Sequence, residues 1–518
     1  MRDRQTAIDG NPRYRFCAPA LYVTSTSPSR DSWSGRSSSY VSVPLLSLPA
    51  HVCWIASLLR PRSSAPRFMS RTAVLLICLI AAVSLVFRPA SASTPPSIES
   101  NEGPHPQRTT VLDNGVRVTL TPYDTDGRAT VRFVIEAGTA YESQSEAGLA
   151  DVTARWLRLQ STSDAPGEMA VDVTVTSDAM VFSSDVAASA APVAIRRMRQ
   201  LVNTSLDDIS ERSALDSART HAAQVLTHSP SPQADARQQL RRTMYQDETY
   251  GRPLPSQAQI RGFTGADVAS FIRRHVAPDR ASLYVTGSFR PSDAIESARK
   301  HLGTWKGTAS GLPLQVTTGP GGDVTVIDRP NRSQVAVAIG TPTVAPGHTD
   351  YAALQVATTL IGGGHTSRLA QSTSLASTSS PYSLLVPHRE TTYWTAVVAT
   401  RPTQTRPAVQ TVRAILEELR NTAPDSSSVY RAQTVLVDRF LMQSSTRDGL
   451  ADQMMFLNRH GLDESYFLKY QARIRSVRPQ DVQRVVRQYL APSDLSIVLT
   501  GPARLIQPQI APVRRQMP

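Results

Sequence analysis

The chain has 518 residues, of which 40% are hydrophobic and 19% charged, with a formal net charge of +13. That length is too great for one ordinary core and predicts two or more domains. Eleven Arg against three Asp, with no Lys or Glu, put +8 of the charge before Ser93 and leave +5 for the rest, too little to mark a nucleic-acid-binding surface.

Residues 1–68 are rich in Ser, Arg and Pro (STSPSRDSWSGRSSSY) and are expected to be disordered or never translated, with Met69 as the true start. From Met69 a basic residue, an apolar run from Ala73 to Phe87 broken only by Ser84, and Ala90-Ser91-Ala92 read as a secretory signal peptide over 69–92. The run is shorter than the roughly 20 residues a spanning helix needs, so no permanent membrane anchor is expected. The product is expected to be exported, and periplasmic if the source is a Gram-negative bacterium. Cys17, Cys53 and Cys78 all precede the cleavage point, so the mature chain is expected to lack disulfides and thiol chemistry.

Residues 93–107 form a Pro- and Ser-rich linker, followed by two alternating strand signals, NGVRVTLTP and ATVRFVIEAG. The stretch AGLADVTARWLRLQ predicts an amphipathic helix with Leu149, Val152, Trp156 and Leu159 on one stripe and Asp151, Arg155 and Arg158 on or near the other face. A strand pair (MAVDVTVTSDAMVFSSDV) and helices over about 192–224 and 232–247 come next. Thr264–Gly287 then aligns without a gap on Arg478–Gly501, each reading as a helix opened near Asp-Val, stopped by Ala-Pro and followed by a buried strand ending in Thr-Gly. Asp323–Pro342 is a strand, turn and strand like the start of the first half, followed by a helix over Asp350–Gly364 that glycines end. Domains are therefore expected at 108–302 and 323–510, with a linker at 303–322 and a tail at 511–518.

VLDNGVRVTLTP, EAGTAYESQSEAGLA, YGRPLPSQAQIRGFTGADVASFIRRHVAPDRASLYVTGSF and DYAALQVATTLIGGGHTSRLAQ resemble the pitrilysin/insulinase family of metallopeptidases, in its short bacterial and mitochondrial-processing-peptidase-like form. The resemblance covers nearly all of the chain from Thr109 to Gly501. It implies an α+β fold of two homologous domains, each an antiparallel sheet covered by helices, forming a clam-like cavity that encloses an unfolded peptide. Active members carry the inverted zinc motif H-x-x-E-H on the helix after Gly-Leu-Ala, two His for the metal and a Glu as general base.

In this chain the motif positions hold Asp151, Ala154 and Arg155. Arg offers no lone pair. At about 4 Å and an effective dielectric of about 20, it would repel a dication by roughly 8 kcal/mol. The resemblance puts Ala218 where active members supply a third ligand, a Glu; nearby Glu211 reads as a surface or first-turn helix carboxylate. His365, beside the glycine run, reads as a helix-terminus or loop residue. No metal is expected in this chain, and zinc is expected in a partner subunit.

The resemblance also matches Arg368 and Tyr382 to an Arg and a Tyr that point across the cavity and hold a substrate carbonyl or oxyanion. The alternative is that Arg368 caps a helix and Tyr382 packs on the sheet. The segment departs from the family pattern in SLASTSSPYS, where Pro381 stiffens the backbone next to Tyr382. Some family members divide the zinc motif and the Arg/Tyr pair between two chains. The resulting expectation is a non-catalytic, peptide-binding subunit that lends Arg368 and Tyr382 to a zinc-bearing partner in a heterodimer. A binding or scaffold protein with no role in proteolysis is the other reading.

Overall fold

Runs of Val, Thr, Ile and Phe separated by turn residues build two sheets, one in each half of the chain. The computed structural model describes residues 107–514 apart from 124–125, 163–168, 204–211, 228–230, 247–248, 312–313, 373–374 and 376–378, all within one unit, Ile98–Pro518. The expected untranslated segment, the signal peptide, nearly all of the 93–107 linker, Glu211 and residues 515–518 of the tail lie outside the described residues. The first sheet holds β1 (Arg108–Val111), β2 (Arg117–Pro122), β3 (Arg128–Ile135), β4 (Asp172–Val175), β5 (Met180–Ala187) and β6 (Ala281–Gly287), in the order β1-β2-β6-β3-β5-β4. The second holds β7 (Val324–Asp328), β8 (Val335–Thr343), β9 (Tyr382–Pro387), β10 (Thr392–Thr400) and β11 (Ser496–Gly501), in the order β7-β11-β8-β10-β9.

The helices of the first half used below are α1 (Leu149–Thr162), α2 (Ala191–Val202), α3 (Arg212–Thr227), α4 (Pro232–Tyr245), α5 (Gly265–His275) and α6 (Pro291–His301). Those of the second half used below are α7 (Tyr351–Gly362), α8 (Arg368–Gln371), α9 (Thr405–Asn421), α10 (Ser426–Ser444), α11 (Arg447–Arg459), α12 (Pro479–Tyr489) and α13 (Ala503–Arg514). The aligned segments become α5 with β6 and α12 with β11. Asp267 accepts the backbone N–H of Thr264 at 2.7 Å and Asp481 that of Arg478 at 2.9 Å, so each helix starts on an acidic cap. Val268 and Val482, next in line, are fully buried. Pro278 and Pro492 lie just beyond the helix ends, and the strands that follow are buried along their whole length.

The expected α+β architecture of two helix-covered sheets is present, but each sheet is mixed rather than purely antiparallel. β6 runs parallel to β2 and antiparallel to β3, and β11 runs parallel to β7 and antiparallel to β8. The last strand of each half returns through a helix and slots between two strands that are neighbours in sequence, which forces one parallel pairing.

Strand alternation gives each sheet two packed faces. Val131, Phe133 and Ile135 of β3 join the core under α1, α2, α5 and α6, while Val335, Val337 and Ile339 of β8 join the core under α7, α9 and α12. The opposite faces are covered by exchanged helices. α4, from the first half, lays Ala236, Leu240 and Met244 on Ala336, Ala338, Val397 and Val498 of the second sheet. Gly340 of β8 lets it come close, since a Cβ there would lie 2.9 Å from Leu240 and 2.5 Å from the Trp394 carbonyl. In return α11, from the second half, covers Thr130, Arg132, Val134, Ser282, Tyr284 and Thr286 of the first sheet, with Met455 against the apolar members. This seam is polar. Arg132 pairs with Asp448 at 3.1 Å and with Asp452, Thr286 Oγ1 donates to the Arg447 carbonyl at 2.9 Å, and Asn458 donates to Ser282 at 2.9 Å. Among the described residues no helix is long and apolar enough to cross a membrane.

Candidate functional site

The helix that carries the degenerate motif is fixed from its first turn. Gly148, at φ +91°, precedes α1 with Pro255 close behind it. The Glu142 carboxylate accepts the backbone N–H of Gly148 at 3.0 Å and of Ala150 at 2.7 Å, closing the helix N-terminus. Burial pushes this carboxyl up to about 7, against the pull of those two N–H groups. Arg252, in the turn after α4, donates to the carbonyls of Thr139 and Ala140, both at 3.1 Å, and so holds the loop that leads into α1.

Of the predicted stripe, Leu149, Val152 and Trp156 are fully buried and Leu159 partly so. Asp151 and Arg155 lie on the outer side and bond to each other, Nε to Oδ2 at 2.8 Å, with the side chains 38% and 25% exposed respectively. Ala154 is buried too, because α3 packs across α1 with Leu215, Ala218 and Ala222 inward. The positions that the sequence resemblance matches to a zinc site thus offer two methyl groups, a guanidinium and one carboxylate already bonded to it. Such a donor set does not fit zinc, which takes N, S or carboxylate O ligands in a tetrahedron. Among the described residues no three His, Cys, Asp or Glu stand close enough to hold a metal ion.

Arg368 and Tyr382 go to opposite faces of the second sheet. Arg368 opens α8, which Ser367 caps, and its guanidinium pairs with Glu418 of α9 in the helical layer. It also borders a small pocket between α7, α8 and α10, with Thr359, Ser428 and Arg431. Tyr382 opens β9 opposite Val397 and packs with the cluster that α4 covers. Its neighbour Ser383 points the other way and donates to the Thr358 carbonyl of α7 at 2.6 Å. The two side chains expected to work together are thereby separated by the sheet. His365 is exposed in the turn between α7 and α8.

A polar cluster that sequence reasoning missed lies where the halves meet. Asp178, in the turn between β4 and β5, is buried and accepts the Tyr250 hydroxyl at 2.7 Å, and His388, in the turn between β9 and β10, stacks on the Tyr250 ring at 4.3 Å. Arg389 pairs with Glu136, and Arg459 stands 3.8 Å from Asp178. Its members come from widely separated segments, so no local spacing announces it. The one available hint is the placing of Asp178 and His388 in the turns of the two edge hairpins.

Comparison with known proteins bears on the fold. The family described as Peptidase M16 inactive domain matches residues 262–436. An uncharacterized zinc protease of Streptomyces coelicolor is 26% identical over 279 residues, 51% of this chain and 59% of that protein, so the match spans under two thirds of the relative's length. Among solved structures, a protease from Helicobacter pylori has a TM-score of 0.68 at 16% identity, covering 77% of this chain and 100% of its own. A peptidase M16 inactive domain from Pseudomonas fluorescens has a TM-score of 0.67 at 17% identity, covering 76% and 98%. A chain of Complex III2 from Candida albicans, Inz-5 bound, has a TM-score of 0.65 at 13% identity, covering 78% and 97%. The chain thus matches a Peptidase M16 inactive domain over residues 262–436 and shares its two-sheet fold with these solved structures, while Asp151, Ala154 and Arg155 stand where the sequence resemblance puts the zinc motif.

Proposed function

We propose that the chain is a non-catalytic, peptide-binding subunit of a zinc metalloendopeptidase-type assembly, working beside a family member that carries the metal. The observation that carries this reading is the α1–α3 contact. Where catalysis needs ligands and a base, this chain has two buried alanines and an internal Asp151–Arg155 pair, while the surrounding fold is kept. The match to an inactive peptidase domain and the likeness to a chain of a multi-subunit complex support a subunit role. Zinc belongs to the partner in this reading, the substrate is an unfolded peptide, and the compartment is the exported one, the periplasm in a Gram-negative host. The segment from Arg368 to Tyr382 is where this chain would touch a substrate held by the partner. With the two side chains on opposite faces, each would act singly rather than as one pair of donors.

The test is mild affinity purification of the tagged chain from its own host, followed by mass spectrometry and a peptidase assay with and without chelator. A stoichiometric partner bearing H-x-x-E-H, and chelator-sensitive cleavage only in the joint fraction, is the expected result. Cleavage by the isolated chain would overturn it. A binding protein with no part in proteolysis is the second reading, favoured by the pairing of Arg368 with Glu418. Unchanged turnover of the partner in both Arg368→Ala and Tyr382→Phe would select that reading.

A further inference from the structure

The two edge hairpins, β4–β5 in the first sheet and β9–β10 in the second, turn toward one another at the junction of the halves. Asp178 from the first turn is 3% exposed. Its Oδ1 takes the Tyr250 hydroxyl, while its Oδ2 faces His388 Nδ1 at 3.9 Å and Arg459 at 3.8 Å, both beyond hydrogen-bond reach. The His388 ring lies between Tyr250, stacked at 4.3 Å and 16°, and Tyr393 at 5.7 Å and 22°. Its Nε2 is buried without a hydrogen-bond partner, as is Nε2 of His460, whose ring rests 4.7 Å from Phe456 at the end of α11. Arg389 of the second turn reaches across to Glu136, at the end of β3, and also pairs with Glu390. The hairpins joined here carry the two edge strands, β4 packed beside α1 and β9 beginning at Tyr382.

We propose that this junction is an acid-released latch between the two edge hairpins. A proton added to His388 in place creates a cation that faces Arg241, Arg459 and His460, with only Asp178 to balance it, and Asp178 already serves Tyr250. A proton added to His460 meets Arg459 and Arg389, again with Asp178 as the sole opposing charge. Burial first, and these cations after it, hold both imidazoles down to about 4. Freed into water, each ring returns to the ordinary value of about 6.5. The released form therefore takes up protons first as pH falls, and release gains about 20-fold per histidine between neutral pH and pH 5. The latch is closed above about pH 6.5 and weakens between there and about pH 4.

Hydrogen exchange of the full mature chain, with intrinsic rates corrected for pH, tests this. In the wild type, peptides covering residues 172–187, 382–400 and 447–462 should lose protection by about 20-fold or more from pH 7 to pH 5 and should exchange ahead of β6 and β11 at pH 5. The double variant His388→Phe/His460→Phe retains the stacked rings and should hold protection at pH 5. Arg459→Gln, which removes one facing cation without touching the core, should give a smaller loss than wild type. Undiminished wild-type protection at pH 5, equal loss in the variants, or loss that coincides with β6 and β11 would each overturn the latch.

Discussion

The helices α4 and α11 do the same geometric work with opposite chemistry. Each leaves its own half and covers the free face of the other half's sheet. α4 does so with Ala236, Leu240 and Met244 on a floor of Ala336, Ala338, Gly340 and Val498, where apolar burial dominates and the one ion pair, the buried Asp235 with Arg329, sits in the first turn of the helix. α11 does so with Asp448, Asp452 and Asn458 against Arg132 and Ser282, where direction and pairing matter and the carboxylates remain largely exposed. One seam is a shared core and the other an ionic clasp. The halves should therefore be inseparable on the α4 side and adjustable on the α11 side.

Breaking the apolar seam should cost most. Leu240→Ala removes a fully buried side chain and should lower unfolding stability by about 3 kcal/mol, read as a lower denaturant midpoint at unchanged slope. Acid should act next, and it loads the polar end of the contrast. His388, where the hairpins meet, and His275, at the end of α5, are both held down to about 4, chiefly by burial. Because the unfolded imidazole titrates at about 6.5, stability is complete above that pH and is lost as pH falls toward about 4, by roughly 2 kcal/mol per histidine at pH 5. Urea unfolding at pH 7 and pH 5 should show the loss, and His275→Phe should remove its share without affecting the hairpins.

The ionic clasp should answer more weakly and respond to salt. Arg132→Met should cost about 1 kcal/mol in dilute buffer and less in 1 M salt, whereas the cost of Leu240→Ala should not fall with salt. Equal salt responses would remove the distinction between the seams. The smallest effect is expected at the degenerate motif. Asp151→Asn breaks a partly exposed i,i+4 pair and should change stability by less than about 0.5 kcal/mol, with a melting temperature that a chelator does not move. A large or chelator-sensitive change would mean that the α1–α3 contact depends on a metal after all.

Legibility followed the range of the interactions. The Leu149, Val152, Trp156 stripe and the outward Asp151 and Arg155 could be read from spacing, because a helix alone fixes which residues share a face. The helix–strand units at 265–287 and 479–501 were legible for the same reason, through local Asp caps, Pro stops and apolar runs. The burial of Ala154 and Ala218 was not, since it depends on which helix crosses α1. Tyr382 illustrates the limit most sharply. In a strand a shift of one residue turns a side chain to the other face, and its pairing opposite Val397 sent it to the α4 side, away from Arg368.

By itself, then, the sequence determined the two α+β halves, the starts and stops of their helices and the loss of the metal donors at the motif positions, all set by local propensity and side-chain chemistry. Tertiary structure alone decided the parallel pairing of β6 and β11, the exchange of α4 and α11, the parting of Arg368 from Tyr382 and the gathering of Asp178, Tyr250, His388 and Arg459. An apolar or charged stripe announces that it needs a partner, but only packing between segments far apart in the chain chooses which surface supplies one.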